Sequence, residues 1–253
     1  MINLTTKLGN LGIPHDAPIL VHSSFKQIAK EGFTPEQVIE TLLDHSSAGT
    51  LLMPTMSWRY VKSEKSQFDE LKTPSNTGIL SEVFRTRYAT RRSLHPTHSV
   101  AGYGCSVDWF LNEHHLDLTP CSARSPFGKI VESDGWVLML GIGFDCCTLI
   151  HHCEELVAPQ IYLRPLTETE TYTCIDRYDT HYSVKLQRHL LLHRDYWQFQ
   201  DQLAFSGLLK LAYWGSVTCR AFRARNLFDV TMKTLKNHAD AILAKPGQRY
   251  RRM

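Results

Sequence analysis

WVLMLGIGFDCCTLIHHCEE, residues 136–155, carries an apolar run, a glycine-punctuated turn and a segment dense in reactive side chains. The run is short, holds no charge and closes on Gly141 and Gly143. That pattern suits a strand buried on both faces that empties into a loop. The residues after it have helical spacing, with Thr148 standing where a helix N-cap would. A buried strand, a turn and a helix in that order are the unit from which α/β proteins are built.

The same order recurs on either side. ILVHSS (19–24) is a β-branched run ending in polar residues, and GTLLMPTMSW (49–58) is a strand stopped by Pro54. FTPEQVIETLLDHS (33–46) predicts a helix with Thr34 as N-cap and Pro35 in its first turn. NTGILSEVFRTRY (76–88) predicts another helix, HSVAGYG (98–104) a strand, and TETYTCIDRYDTHYSVKLQRH (169–189) a strand pair. The last sixty or so residues look mainly helical and are assigned to packing. With no repeat and no linker, the expectation is one domain over 1–253. Its fold class is α/β, a central mostly parallel or mixed sheet flanked by helices, with a helical C-terminal third.

Composition narrows the function classes. The chain is 43% apolar and 21% charged, ordinary for a globular protein. A formal charge of +3 is too mild for a nucleic-acid surface, and the basic stretches RTRYATRR (85–92) and KPGQRYRRM (245–253) read as a solvated helix face and a flexible tail. No run of apolar residues is long enough to span a membrane, and MINLTTKLGNLGI has no secretory pattern. Seven cysteines at irregular spacing, two of them adjacent, point to a reducing cytoplasm and not to a disulfide framework. Enzymes of this size are commonly homodimers, a base rate that no residue here decides.

In an α/β sheet, ligands gather past the carboxyl ends of the strands. Four such segments carry chemistry: HSSFK (22–26), PTMSW (54–58), HPTHS (95–99) and DCCTLIHHCEE (145–155). Three chemistries stay open. A metal site would draw on His95 and His98 with His151, His152, Cys153 and Glu154, and would fit a metal-assisted hydrolase; yet neither CxxC nor HExxH occurs. A thiol nucleophile would be Cys147 or Cys153 near His151. A positioned base would be His151, three residues before Glu154 on one helical face, where a carboxylate orients the ring and stabilises its protonated form. The bland reading is a capped helix with a half-buried His151. Spacing alone does not choose.

Taken together, VHSSF (21–25), GTLLMPTMSW (49–58), SLHPTHSVAGYG (93–104), SPFGKI (125–130) and LMLGIGFDCCTLIHHCEE (138–155) resemble the aminoglycoside 3-N-acetyltransferase family. The resemblance is strong over about 15–165 and weaker beyond. It matches the family's T-x-x-H-x-x-E element at Thr148, His151 and Glu154, and it implies acetyl-CoA as cosubstrate and no metal. By that resemblance His151 is the general base, Glu154 orients it, and Thr148 holds the carbonyl oxygen or the pantetheine arm. Ser23, Ser24, Phe25 and Lys26 would cradle CoA, and Ser99 and Val100 would line the same channel. Two departures matter: DCC replaces the usual residues before the threonine, and the chain is somewhat basic for an enzyme of polycations. An acidic acceptor pocket would have to come from Asp69, Glu70, Asp145 or Glu155. The segment DYWQFQDQLAFSGLLK (195–210) resembles family members of sugar biosynthesis, so the acceptor stands between a single amino sugar and an aminoglycoside. A non-catalytic CoA- or sugar-binding homologue is the rival from another class.

Overall fold

The apolar run at the centre of the sequence is also central in space. In the computed structural model, which describes residues 4–245, Trp136–Leu140 is one of ten strands. They are β1 (Pro18–Ser23), β2 (Thr50–Pro54), β3 (Gln67–Asp69), β4 (Arg91–Arg92), β5 (Val100–Gly104), β6 (Trp136–Leu140), β7 (Glu170–Ile175), β8 (His181–Leu186), β9 (Lys210–Trp214) and β10 (Val217–Arg223). A seven-stranded sheet has the order β4-β5-β2-β1-β6-β10-β9. β1 runs parallel to both β2 and β6, and every other pairing in this sheet is antiparallel. The sheet is therefore mixed, parallel only in its middle.

Alternation along these strands feeds two cores. Leu20, Val137 and Met139 point to one face of the sheet, and Ile19, Val21, Leu138 and Leu140 to the other, all essentially fully buried. This is why the central strands are continuous apolar runs. Burying each such side chain contributes roughly 1.5–3 kcal/mol. Helices cover both faces. One, Pro35–His45, starts at a capping box in which Gln37 N donates to Thr34 Oγ1 and Gln37 Oε1 accepts from Thr34 N. A second, three-stranded sheet of order β3-β7-β8 contains the predicted strand pair and covers its own small cluster of Phe68, Tyr172, Val184 and Leu186.

The expectation of a mainly helical close needs correction. The helices Trp197–Phe205 and Ala224–Asn237 are present, but between them β9 and β10 form an antiparallel hairpin that joins the large sheet beside β6. The run VTCRAFR at 217–223 alternates and is largely buried, with Val217, Cys219, Ala221 and Phe222 all at 0% exposure. A flexible tail was expected at 245–253; all but Lys245 lies outside the described residues.

The parallel strands β1, β2 and β6 end at one edge of the sheet. The chain leaves that edge through Ser23–Ser24, through Pro54–Trp58 and through Gly141–Thr148. HPTHS (95–99) reaches the same edge as the connection between β4 and β5. There Thr55 N donates to Ser99 O and Ser57 N to Thr97 O, which ties that loop to the end of β2.

Candidate active site

The four loop segments meet around a cleft of about 440 Å³. Val21, Pro54, Met56, Trp58 and Ile142 form its apolar walls. Ser23, Asn76, Thr77 and Ser81 bring hydroxyls and an amide, and His22, His98, Asp145, Cys146, Thr148 and His151 complete the lining. A second, more polar cavity of about 210 Å³ adjoins it through Ile142 and Asp145 and is lined by Ser24, Gln27, Trp197, Thr218 and Arg220.

His151 stands on the first turn of the Leu149–Val157 helix, whose axis starts at the cleft. Its Nδ1 lies 2.7 Å from Oε2 of Glu154, one turn along the same helix. Glu154 is completely buried. Its Oε1 accepts from Arg194 Nε and from the Tyr196 hydroxyl, both at 2.9 Å, and that hydroxyl also lies 3.1 Å from His151 Nδ1. Burial alone would push the Glu154 carboxyl up, yet the His151 ring and the Arg194 guanidinium outweigh it and hold the carboxyl at about 2. An ionised carboxylate only accepts, so Nδ1 carries a hydrogen toward it, and in the neutral ring the lone pair is on Nε2. The predicted pair is thus in contact, and three donors surround its acid.

Thr148 occupies the predicted N-cap position, but its backbone is helical and its side chain accepts no capping bond. It lines the cleft instead. Of the expected CoA residues, Ser23 and Ser24 face the two cavities. The others are placed elsewhere. Phe25 packs against the core, and Lys26 is exposed to solvent on the short helix Phe25–Ile28. Val100 is fully buried in β5, and Ser99 is fully buried with its hydroxyl donating to Thr55 O and accepting from Arg92 Nε. Neither reaches a channel.

The expected acidic pocket is corrected in the same way. Asp69 accepts from the amides of Leu71 and Lys72 in a turn. Glu70 is buried against Arg177, its Oε1 accepting from Nη2 at 2.6 Å. Glu155 is turned inward, where Thr119 Oγ1 and Cys121 N donate to it. Asp145 alone of the four lines the cleft.

The alternative chemistries fare unevenly. Burial pushes the Cys147 thiol up to about 12 and the Cys153 thiol well above its usual range, so neither is a ready thiolate. Cys146 is exposed at the cleft; desolvation along its wall and the neighbouring Asp145 raise its thiol as well, so it too is no ready thiolate. The expected metal set does not assemble: His152 Nδ1 is bonded to Cys121 O at 2.6 Å, and buried His95 Nδ1 accepts from Thr97 N and His98 N. Donor atoms of His151, Glu154 and His189 lie within 4.8 Å of one another. However, the two imidazoles stack with centroids 4.3 Å apart and planes 23° from parallel, so their lone pairs do not converge on one point.

That stack continues inward. His189 faces His98 at 5.5 Å, His98 faces His95 at 5.9 Å, and His95 stacks on His114 at 4.3 Å. Burial holds His98, His95 and His189 well below the usual histidine value and His114 at about 3, so the row is neutral.

Sequence reasoning missed Arg194, Tyr196 and His189. They lie in a stretch whose spacing carries no catalytic signature, and Arg194 meets Glu154 across forty residues of chain. Gly143 was noted as a turn residue, but its reason is Trp197: a Cβ there would run into that ring.

A sequence model described as aminoglycoside 3-N-acetyltransferase matches residues 20–236. Aminoglycoside N(3)-acetyltransferase IV of Salmonella sp is 34% identical over 60% of this chain and 57% of its own. The prophage-derived aminoglycoside N(3')-acetyltransferase-like protein YokD of Bacillus subtilis (strain 168) is 28% identical over 62% of this chain and 65% of its own. The chain thus aligns with about three fifths of the length of these curated relatives. A solved structure of a mutant aminoglycoside acetyltransferase AAC(3)-IVa in complex with a gentamicin superposes with a TM-score of 0.80 at 26% identity, over 96% of this chain and 90% of that one. With the family pattern running from β1 to the final helix, the chain belongs to the aminoglycoside 3-N-acetyltransferase family.

Proposed function

We propose that the protein is an acyltransferase that moves acetyl from acetyl-CoA directly onto an amine of a sugar-like acceptor, with His151 as general base and Glu154 as its positioning residue. The observation that carries this reading is the 2.7 Å contact of His151 Nδ1, in the cleft lining, with the buried Glu154 behind it. It leaves Nε2 as the basic atom of a ring that lines the cavity.

An alkylammonium is not a nucleophile until it loses a proton. The ammonium gives one proton to solvent as it binds; as the neutral amine nitrogen adds to the thioester carbonyl, Nε2 takes the second, and the C–S bond breaks to leave a neutral amide and a thiolate. The imidazolium then gives its proton to the sulfur, and the Glu154 carboxylate stabilises the cation meanwhile. The thioester is already activated, so holding the two substrates together supplies much of the acceleration. Thr148 stands beside His151 to receive the carbonyl oxygen. Ser23, Ser24 and the Gly141–Gly143 backbone fit the pantetheine arm, whose amides need polar partners where the two cavities join. The chemistry requires no step on a metal. We place the reaction within one domain and in the cytoplasm; all seven cysteines are free, and among the described residues no helix is long and apolar enough to cross a membrane.

The test is release of CoA thiol from acetyl-CoA against a panel of amines, with His151→Ala beside the wild type. Turnover by the wild type and a loss of about 10²-fold or more in the variant is the expected result. If the variant turns over as fast as the wild type, the base is misassigned.

A further inference from the structure

His151 needs more than Glu154 to act as a directed base. The χ2 torsion of histidine has a broad well, so the plane of its ring is set by what touches its edge and its faces. Glu154 Oε2 and the Tyr196 hydroxyl both meet the same atom, Nδ1. Contacts to one ring atom leave the ring free to tilt about it, and a tilt swings Nε2. The Tyr196 ring does not prevent this, for it stands edge-on, 5.8 Å away with its plane at 78°. A misplacement of about 1 Å at a reacting group can cost roughly 10²-fold in rate.

His189 covers one face of that ring. The two imidazoles are 4.3 Å apart between centroids and 23° from parallel, close enough to block a tilt toward His189. His189 is fixed in its turn. Its Nε2 lies 2.8 Å from Glu155 Oε1, and the His98 ring stands beside it at 5.5 Å and 69°. Glu155 is itself anchored by Thr119 Oγ1 and Cys121 N, which donate to it. The backbone at 189 bridges to Leu163, with Arg164 N donating to Arg188 O and Leu190 N to Tyr162 O.

Stability does not account for an imidazole at this place. The His189 side chain is 9% exposed, and its Nδ1 is buried with no hydrogen-bond partner among the described residues. An apolar side chain would not carry that cost. Desolvation, with the charges of His151, Arg194 and Arg188, outweighs Glu154 and holds the ring neutral. A neutral flat ring is what a protonated His151 tolerates beside it, because a second cation there would oppose the arriving proton.

We propose that His189 is a positioning residue for the transfer, a flat platform that fixes the plane of the His151 ring and so the aim of Nε2, with Glu155 seating the platform. This inference rests on the acetyl-transfer reading and adds a residue to its machinery.

Two substitutions separate a flat face from mere bulk. His189→Phe keeps an aromatic face and His189→Leu removes it, while both lose the contact with Glu155. Initial rates of thiol release are compared with wild type, using acetyl-CoA with kanamycin and with a methyl glycoside of a 2-amino hexose, and thermal melts beside them. The Leu variant is expected to lose about tenfold in kcat with KM within about twofold, and the Phe variant to stay within about threefold of wild-type kcat. In protein carrying 13C-labelled histidine, the His151 ring resonance, assigned by its loss in His151→Ala, should move downfield in the Leu variant as the stacked ring current goes. It should stay upfield in the Phe variant. A folded Leu variant with wild-type kcat would overturn the proposal. So would a Phe variant that melts like wild type yet loses tenfold in kcat, a readout that holds even where the Leu variant does not fold. Thiol release from neither amine would count against the acetyl-transfer reading alone; the His151 resonance, which needs no acceptor, then decides the platform, and its failure to move in the Leu variant overturns it.

Discussion

Glu154 and Glu155 are adjacent in the chain and opposite in chemistry. Glu154 meets an imidazole and a guanidinium and is held ionised at about 2. Glu155 is buried, and although Thr119 and the Cys121 amide donate to it, desolvation lifts it to about 7. Its neighbour His189, whose Nε2 lies 2.8 Å away, is itself held neutral by burial. In the folded protein Glu155 keeps its proton to about pH 7, whereas an unfolded glutamate releases it near 4.5. The folded state thus binds more protons in that window, and stability falls as pH climbs through it and is level above. Thermal denaturation of wild type and Glu155→Gln should show this: between about pH 5 and pH 7.5 the wild type loses several degrees of Tm relative to the variant. A constant difference across the range would mean an ordinary carboxylate. At this scale the sequence displays the His151–Glu154 pair, because three-residue spacing on a helix is a contact. It does not display which of two adjacent glutamates is the partner's charge and which is a buried acid, since that depends on Arg194 and on the depth of the fold.

The elements around the site are legible for the same reason that they are stable. Each central strand is an uninterrupted apolar run, and the helix Pro35–His45 announces itself by Thr34, Pro35 and Gln37. The turn after β6 is legible only in part. Gly141 has φ of 66°, a left-handed conformation that favours glycine. Gly143 has an extended backbone, and its small size serves the ring of Trp197, which packs where a side chain would be. Gly143→Ala should therefore push Trp197 off its seat and cost about 1–3 kcal/mol, read as a lower Tm. On the proposed acetyl transfer it should also raise the KM for acetyl-CoA, because Trp197 lines the cavity beside the cleft. An unchanged Tm would show that the helix Trp197–Phe205 shifts freely. The hairpin β9–β10 went unseen because its residues give no turn signal stronger than Trp214–Gly215–Ser216 and because its partner strand is β6, far back in the chain.

For the whole molecule, that distance has weight. The family motifs end near residue 155, which makes the front part look sufficient. In space it is not: β10 covers the open edge of β6, Phe222, Leu227 and Leu235 fill the core, and Arg194 and Tyr196 clamp Glu154. A chain stopped at about residue 190 should fail to fold, showing neither a cooperative thermal transition nor the near-ultraviolet dichroism of packed aromatics. A cooperative melt from that fragment would put the core wholly in the front part. The clamp on Glu154 also has a consequence in time. Synthesis proceeds at roughly 5–20 residues per second, and Arg194 is made forty residues after the acid that it holds. On a ribosome, the helix Leu149–Val157 emerges with the Glu154 carboxylate unclaimed and waits seconds for its partners. A nascent chain therefore carries His151 and Glu154 before the residues that clamp them, and a translational pause within 155–223 would lengthen the interval in which that helix must be sheltered by other means.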